Sequence, residues 1–90
     1  MKPHQKTFDR IREAVLPEFR ERIADYLVEY ETVLQNAAAD ARQVHASAQQ
    51  LRGYLRGLNT TRVLGMADWE DLDRRVAHII ERPASQGVAD

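Results

Sequence analysis

Apolar residues recur every three or four positions through the middle of the chain, in a run without proline or glycine from Glu18 to Arg52. This spacing is typical of helices that pack along a heptad seam. Ten successive seam positions are apolar or aromatic: Leu27, Tyr30, Leu34, Ala37, Ala41, Val44, Ala48, Leu51, Leu55 and Leu58. We therefore predict one long central helix over residues 18–57, with these ten residues as a self-association seam.

Shorter apolar stripes predict one helix on each side of the central helix. The first covers residues 8–16 and the last covers residues 69–82, each with its apolar residues on one face. Strand patterns are nearly absent, so the predicted fold class is all-α, with residues 1–82 as a single helical domain. Pro83 stops the last helix, and residues 83–90 are expected to form a disordered tail.

A turn at residues 36–40 is the competing interpretation of the central segment. Asn36 can end one helix, and Asp40 can cap the next with Gln43 as the third residue of a capping box. Against the turn, residues 37–39 are three alanines, the strongest helix formers, and the segment lacks glycine. The turn would give a monomeric four-helix bundle, whereas the continuous helix requires a second chain.

The charge pattern decides how two continuous helices would pair. Residues 18–40 carry six acidic and two basic side chains, a balance of −4, and residues 41–66 carry four arginines and no acid, a balance of +4. An antiparallel pair places the acidic half of one chain against the basic half of the other. Because the exposed seam would be too large for a monomer, we predict an antiparallel homodimer.

Composition places the chain in a broad class. It has 90 residues, a net charge of −1 and no cysteine, which leaves out disulfide frameworks and thiolate metal sites. No window approaches the ~20 apolar residues of a membrane span, and the first residues do not have the pattern of a secretory signal. We expect a soluble, cytoplasmic protein that does not bind membranes.

The sequence offers no pattern typical of an enzyme. His4, His45 and His78 are the only histidines, and none stands in a known metal or nucleophile motif. No glycine-rich phosphate loop is present, and the acidic residues follow outer helix positions where solvated charge is expected. The prediction is therefore no catalytic residue, no metal and no cofactor.

Two charged surfaces are the candidates for partner binding. The acidic stripe comprises Glu18, Glu21, Asp25 and Glu29, which would face outward on the central helix. The arginine patch comprises Arg52, Arg56 and Arg62, with Tyr54 between the first two in sequence. The acidic stripe suits a basic protein and could mimic phosphate, whereas the arginine patch suits a phosphate backbone.

We expect a non-enzymatic protein–protein interaction module. Small size, a strong excess of arginine over lysine and many alanines suggest a bacterial, phage or plasmid accessory protein that modulates or inhibits a larger protein or complex. The alternative is a nucleic-acid-binding regulatory protein that uses the arginine patch. The net charge of −1 weighs against that alternative.

Overall fold

The computed structural model describes residues 3–36 and 38–81, and all regular structure in that part of the chain is helical. The four α-helices are α1 (Gln5–Ala14), α2 (Arg20–Leu34), α3 (Ala41–Thr60) and α4 (Met66–Glu81), and a 3-10 turn (Pro17–Phe19) leads into α2. These helices confirm the all-α prediction. The predicted tail, residues 83–90, lies outside the described residues.

The continuous central helix predicted over residues 18–57 is wrong, because the chain ends α2 and begins α3 as a separate helix. Asp40 and Gln43 form a capping box at the start of α3. The Asp40 carboxylate accepts a hydrogen bond from the Gln43 backbone N–H at 2.8 Å, and the Gln43 side-chain oxygen accepts one from the Asp40 backbone N–H at 3.1 Å. Such a cap stabilises a helix start by about 1 kcal/mol.

A second side chain supports the turn from its other end. The Asn36 side-chain oxygen accepts a hydrogen bond from the backbone N–H of Ala38 at 2.9 Å, and the Asn36 carbonyl accepts one from the Ala39 backbone N–H at 3.0 Å. Asn36 and Asp40 thus supply backbone partners that a helix would supply through its own carbonyls. The chain therefore follows the path of the competing interpretation, with a turn at 36–40.

The turn lets the predicted seam fold back on itself. The residues of the seam that are buried are Leu27, Leu34, Ala48, Leu51, Leu55 and Leu58, and those that are half-buried are Tyr30 and Val44. Ala41 is exposed, and Ala37 lies outside the described residues. The argument for a dimer required this seam to be open to solvent, and the structure removes that requirement.

The two outer helices each begin three residues before the predicted starts at residues 8 and 69, which corrects the predicted ranges 8–16 and 69–82. Phe8 and Trp69 each donate a backbone hydrogen bond to the carbonyl four residues earlier, at 3.1 and 2.9 Å. The apolar stripe marks where a helix meets the core. It does not mark the first residue of either helix, because Gln5 is half-buried and Met66 is 63% exposed.

The first helix also ends earlier than predicted, at Ala14. Pro17 accounts for this, because a residue before proline is disfavoured in the helical region. Leu16 is accordingly extended, with φ −52° and ψ 135°, and its backbone N–H donates to the Val63 carbonyl at 3.1 Å. This hydrogen bond joins the α1–α2 connection to the α3–α4 connection.

Ion pairs link α1 to its two neighbouring helices. The Arg10 guanidinium lies 3.4 Å from the Asp68 carboxylate and 3.5 Å from the Asp71 carboxylate, both on α4. A hydrogen bond from Arg75 to Asp71, 3.1 Å long, lowers the pKa of that carboxyl below its usual value, and Arg10 adds to the effect. Arg12 pairs with Glu31 of α2. Such partly exposed pairs orient the helices more than they stabilise them.

The buried seam gives a direct stability prediction. Leu55 is fully buried on α3, so Leu55→Ala should lower the free energy of unfolding by about 2–5 kcal/mol through lost burial and the cavity left behind. Urea denaturation followed by circular dichroism measures the change. Gln49→Ala, on the exposed face of the same helix, is the control and should shift it by less than about 0.5 kcal/mol. A similar, small effect of both changes would contradict the packing.

Candidate interaction surface

The acidic stripe lies on the face of the 3-10 turn and α2 that points away from the core. All four of its residues are exposed, whereas Ile23 and Leu27 on the opposite side of the helix are buried. Within residues 3–36 and 38–81, none of the four carboxylates forms an ion pair. Their charge is therefore not neutralised by the fold.

Four acidic residues elsewhere in the described chain have a role in the fold. Asp68 and Asp71 pair with α1, Asp73 pairs with α3, and Glu31 pairs with α1. Each of these carboxylates joins one helix to another, so it has a role in the fold. The acidic stripe has no such role. Glu13 on α1 and Glu70 on α4 are also exposed without an ion pair to a described residue, but the stripe differs from them because it places four carboxylates on one face.

A tyrosine cluster borders the acidic stripe. It consists of Tyr26 and Tyr30 on α2 and Tyr54 on α3, with the Tyr54 ring centroid 5.6 Å from that of Tyr26 and 6.0 Å from that of Tyr30. The rings are tilted by 36° and 33°, within the range of favourable aromatic pairs. Tyr26 is 54% exposed, so the cluster reaches from the edge of the core to the surface.

The environment of the cluster raises the pKa of two of its hydroxyl groups. Burial raises the pKa of Tyr54 above its ordinary value, and the neighbouring Tyr26 and Tyr30 add to the shift. Burial also raises the pKa of Tyr30, with a smaller contribution from the charge of Glu29. At neutral pH these phenols are hydrogen-bond donors and acceptors beside exposed carboxylates.

The structure does not bring the arginine patch together with Tyr54. The Arg52 guanidinium donates two hydrogen bonds to the Asp73 carboxylate of α4, at 2.8 and 3.1 Å. Tyr54 is two positions further along α3, so it points to the opposite flank and contacts α2. Arg56 and Arg62 are exposed, and Arg62 has a left-handed backbone with φ 66°. Arg52 is thus committed to holding α3 against α4.

Sequence reasoning missed the tyrosine cluster, although part of its signal was present. Tyr26 and Tyr30 are four residues apart and therefore share one side of α2. Tyr54 joins them only because the turn brings α3 back antiparallel to α2. The continuous-helix prediction hid that proximity within one chain.

The described residues support neither a metal site nor a membrane span. Within the part of the chain that the structure describes, no group of three or more His, Asp or Glu side chains is placed to hold a metal ion. None of the described helices combines the length and the apolar character that crossing a bilayer requires. No protein family, curated protein or solved structure matches the chain.

The raised tyrosine pKa values predict a loss of stability in alkali. The unfolded chain releases these phenol protons near the ordinary pKa of 10.0, before the folded chain does. The stabilisation is therefore complete below about pH 10 and is lost as the pH rises further. Urea denaturation at about pH 8 and about pH 11 measures the fall. It should become smaller in Tyr54→Phe and smaller again in Tyr30→Phe with Tyr54→Phe, and an unchanged fall would contradict the assignment.

Proposed function

We propose that this chain is a non-enzymatic interaction module that binds a basic surface on a larger protein and so modulates or inhibits it. The observation that carries the proposal is the acidic stripe: four exposed carboxylates with no ion pair among the described residues, on one face of the 3-10 turn and α2. In this proposal α2 presents that face to the partner, and the packing of the other helices fixes the position of α2.

The chemistry of the acidic stripe specifies the kind of partner. From Glu18 to Glu29 the carboxylates extend over about 16 Å at 1.5 Å per residue, which is long enough to meet several lysine or arginine side chains. Complementary charge accelerates encounter and selects the partner more than it adds affinity. A partner that ordinarily binds phosphate groups presents such a surface, so the stripe can act as a phosphate mimic.

The tyrosine cluster can supply binding energy, to which exposed charges contribute little. Tyrosine is over-represented among the residues that dominate binding energy at interfaces, because its ring is large and rigid and its hydroxyl group can pair. Tyr26 is exposed and lies close to Asp25 and Glu29 along the helix. An arginine or lysine of the partner can contact the ring face while it pairs with a carboxylate.

Nucleic-acid binding through the arginine patch has less support. Arg52 is held by Asp73, and only Arg56 and Arg62 of the patch extend from the surface without an ion pair to a described residue. Two exposed arginines contribute few phosphate contacts, and affinity for nucleic acid grows with the number of such contacts. An accessory role in a bacterium, phage or plasmid remains part of the proposal on compositional grounds.

Neutralising part of the acidic stripe should weaken binding to a cationic probe. Asp25→Asn with Glu29→Gln should raise the Kd for a fluorescein-labelled arginine-rich peptide about three- to tenfold, because each exposed charge pair is worth ~0.2–1 kcal/mol. Fluorescence anisotropy at low salt measures the Kd, and the difference should shrink as salt is added. Glu13→Gln with Glu70→Gln is the matched control, with the same change of net charge at exposed positions on α1 and α4.

The two double variants also test the proposal on a natural partner. Affinity capture from a bacterial lysate should retain the partner on the unmodified chain and on the control pair, and lose it from Asp25→Asn with Glu29→Gln. If both pairs weaken peptide binding equally, only net charge matters and the acidic stripe is not the site.

The tyrosine cluster should contribute separately from the charges. Tyr26→Ala should weaken binding of the same peptide, and the loss should persist at salt concentrations that suppress the effect of the carboxylates. Val28→Ala is the control, because Val28 is 53% exposed on α2 but lies on the flank near Gln5 and Glu31. Equal losses for Tyr26→Ala and Val28→Ala would remove the tyrosine cluster from the proposed site.

A further inference from the structure

We propose that two copies of this chain exchange helices. The connection of residues 35–40 straightens, α2 and α3 become one helix, and the α3–α4 half of each chain packs on the α1–α2 half of the other. The partner is thus a second copy of this chain, seated on the surface that its own α3–α4 half covers in the closed form.

The heptad pattern carries this inference. Leu27 and Leu34 of α2 and Ala48 and Leu55 of α3 are all buried, and Ala41 keeps the seven-residue spacing between them. A closed hairpin has no need for this register, because the turn sets the orientation of α3 independently. A straightened helix needs it, since both apolar faces must then point to the same side, toward an antiparallel copy.

The contacts divide cleanly between the two halves. Contacts inside a half, such as Arg12 with Glu31 and Arg52 with Asp73, are untouched by the exchange. Contacts between halves re-form between chains without new chemistry. They are the apolar seam, Arg10 with Asp68 and Asp71, the hydrogen bond from Leu16 to Val63, and the stacking of Tyr26 and Tyr30 on Tyr54. The closed and exchanged forms therefore differ chiefly at the connection.

The residues of the connection stabilise both the turn of the closed form and the helix of the exchanged form, so the free-energy difference between them is small. The closed form keeps the capping box of Asp40 with Gln43 and the side-chain hydrogen bond to Asn36. The exchanged form turns the alanines of residues 37–39 into helix, for which alanine has the highest preference. The side chains of Asn36 and Asp40 support the turn, and the segment lacks glycine, so replacing these two side chains should favour the helix.

The exchange makes the tyrosine cluster composite. Tyr26 and Tyr30 come from one chain and Tyr54 from the other, so the surface beside each acidic stripe is completed by the second copy. The dimer also presents two acidic stripes, which allows bivalent binding. The exchange itself does not depend on what those surfaces bind.

Two variants of the connection should move the equilibrium in opposite directions. Asn36→Ala with Asp40→Ala removes the side chains that support the turn and should lower the dimer dissociation constant roughly 10- to 100-fold. Ala38→Gly with Ala39→Gly disfavours the helix across the connection and should raise it by a similar factor. Multi-angle light scattering after size exclusion, over a range of protein concentrations, measures the dimer fraction, and circular dichroism verifies that each variant is helical.

A disulfide distinguishes helix exchange from side-by-side pairing. The backbone hydrogen bond of 3.1 Å from Leu16 to Val63 places these two residues side by side, and the natural chain has no cysteine to compete with an engineered pair. Leu16→Cys with Val63→Cys, added to Asn36→Ala with Asp40→Ala and oxidised as the isolated dimer, should run as a covalent dimer on a denaturing gel without reductant. Small-angle X-ray scattering should also show that the dimer has a longest dimension of about 60 Å, which is the length of a helix from Arg20 to Thr60. The longest dimension of the closed chain is 37 Å.

Two results would overturn the inference. One is a chain that stays monomeric at every concentration when Asn36 and Asp40 are both replaced by alanine and the fold is intact. The other is a dimer in which the disulfide engineered by Leu16→Cys with Val63→Cys closes only within each chain, so that the denaturing gel shows monomers.

Discussion

The capping box of Asp40 and Gln43 is the interaction on which the rest of the structure depends. It favours two helices over one central helix in the closed chain by giving α3 a stable start. Once α3 runs back along α2, the apolar seam covers itself and the core of a small domain is complete. A contribution of only ~1 kcal/mol can have this consequence because both arrangements bury the same apolar residues, and burial therefore does not choose between them.

The same turn determines which charges remain available. With α3 between α2 and α4, Arg52 meets Asp73, and the basic residues of α3 do not reach the acidic stripe on the outer face of α2. The −4 and +4 segments lie side by side in one chain, yet the four outer carboxylates keep their charge exposed. The flank that does face α3 carries the tyrosine cluster. Tyr26 and Tyr30 lie beside the acidic stripe through their sequence positions on α2, and packing adds Tyr54 from α3.

Periodicity predicted the residues of the core better than the path of the chain. Leu27, Leu51 and Leu55 are buried as their spacing requires, because seam positions face a partner helix in either topology. The sequence could not decide between a turn and a continuous helix at residues 36–40. The helix preference of three alanines and the caps at Asn36 and Asp40 oppose each other with free energies of similar size. For a related reason the sequence pattern groups Tyr54 with the arginines. The residues that surround Tyr54 depend on whether the chain turns between α2 and α3.

The acidic stripe depends less on the path of the chain than any other surface feature. Glu21, Asp25 and Glu29 point away from the seam, so they are exposed whether α3 belongs to the same chain or to a second copy. Outer helix positions are where solvated charge is expected, but three carboxylates on adjacent turns of one face repel one another by a few tenths of a kcal/mol per pair. That repulsion is relieved when cationic side chains approach the face. In the function we propose, a basic partner supplies the cationic side chains that neither arrangement of the helices brings to this face.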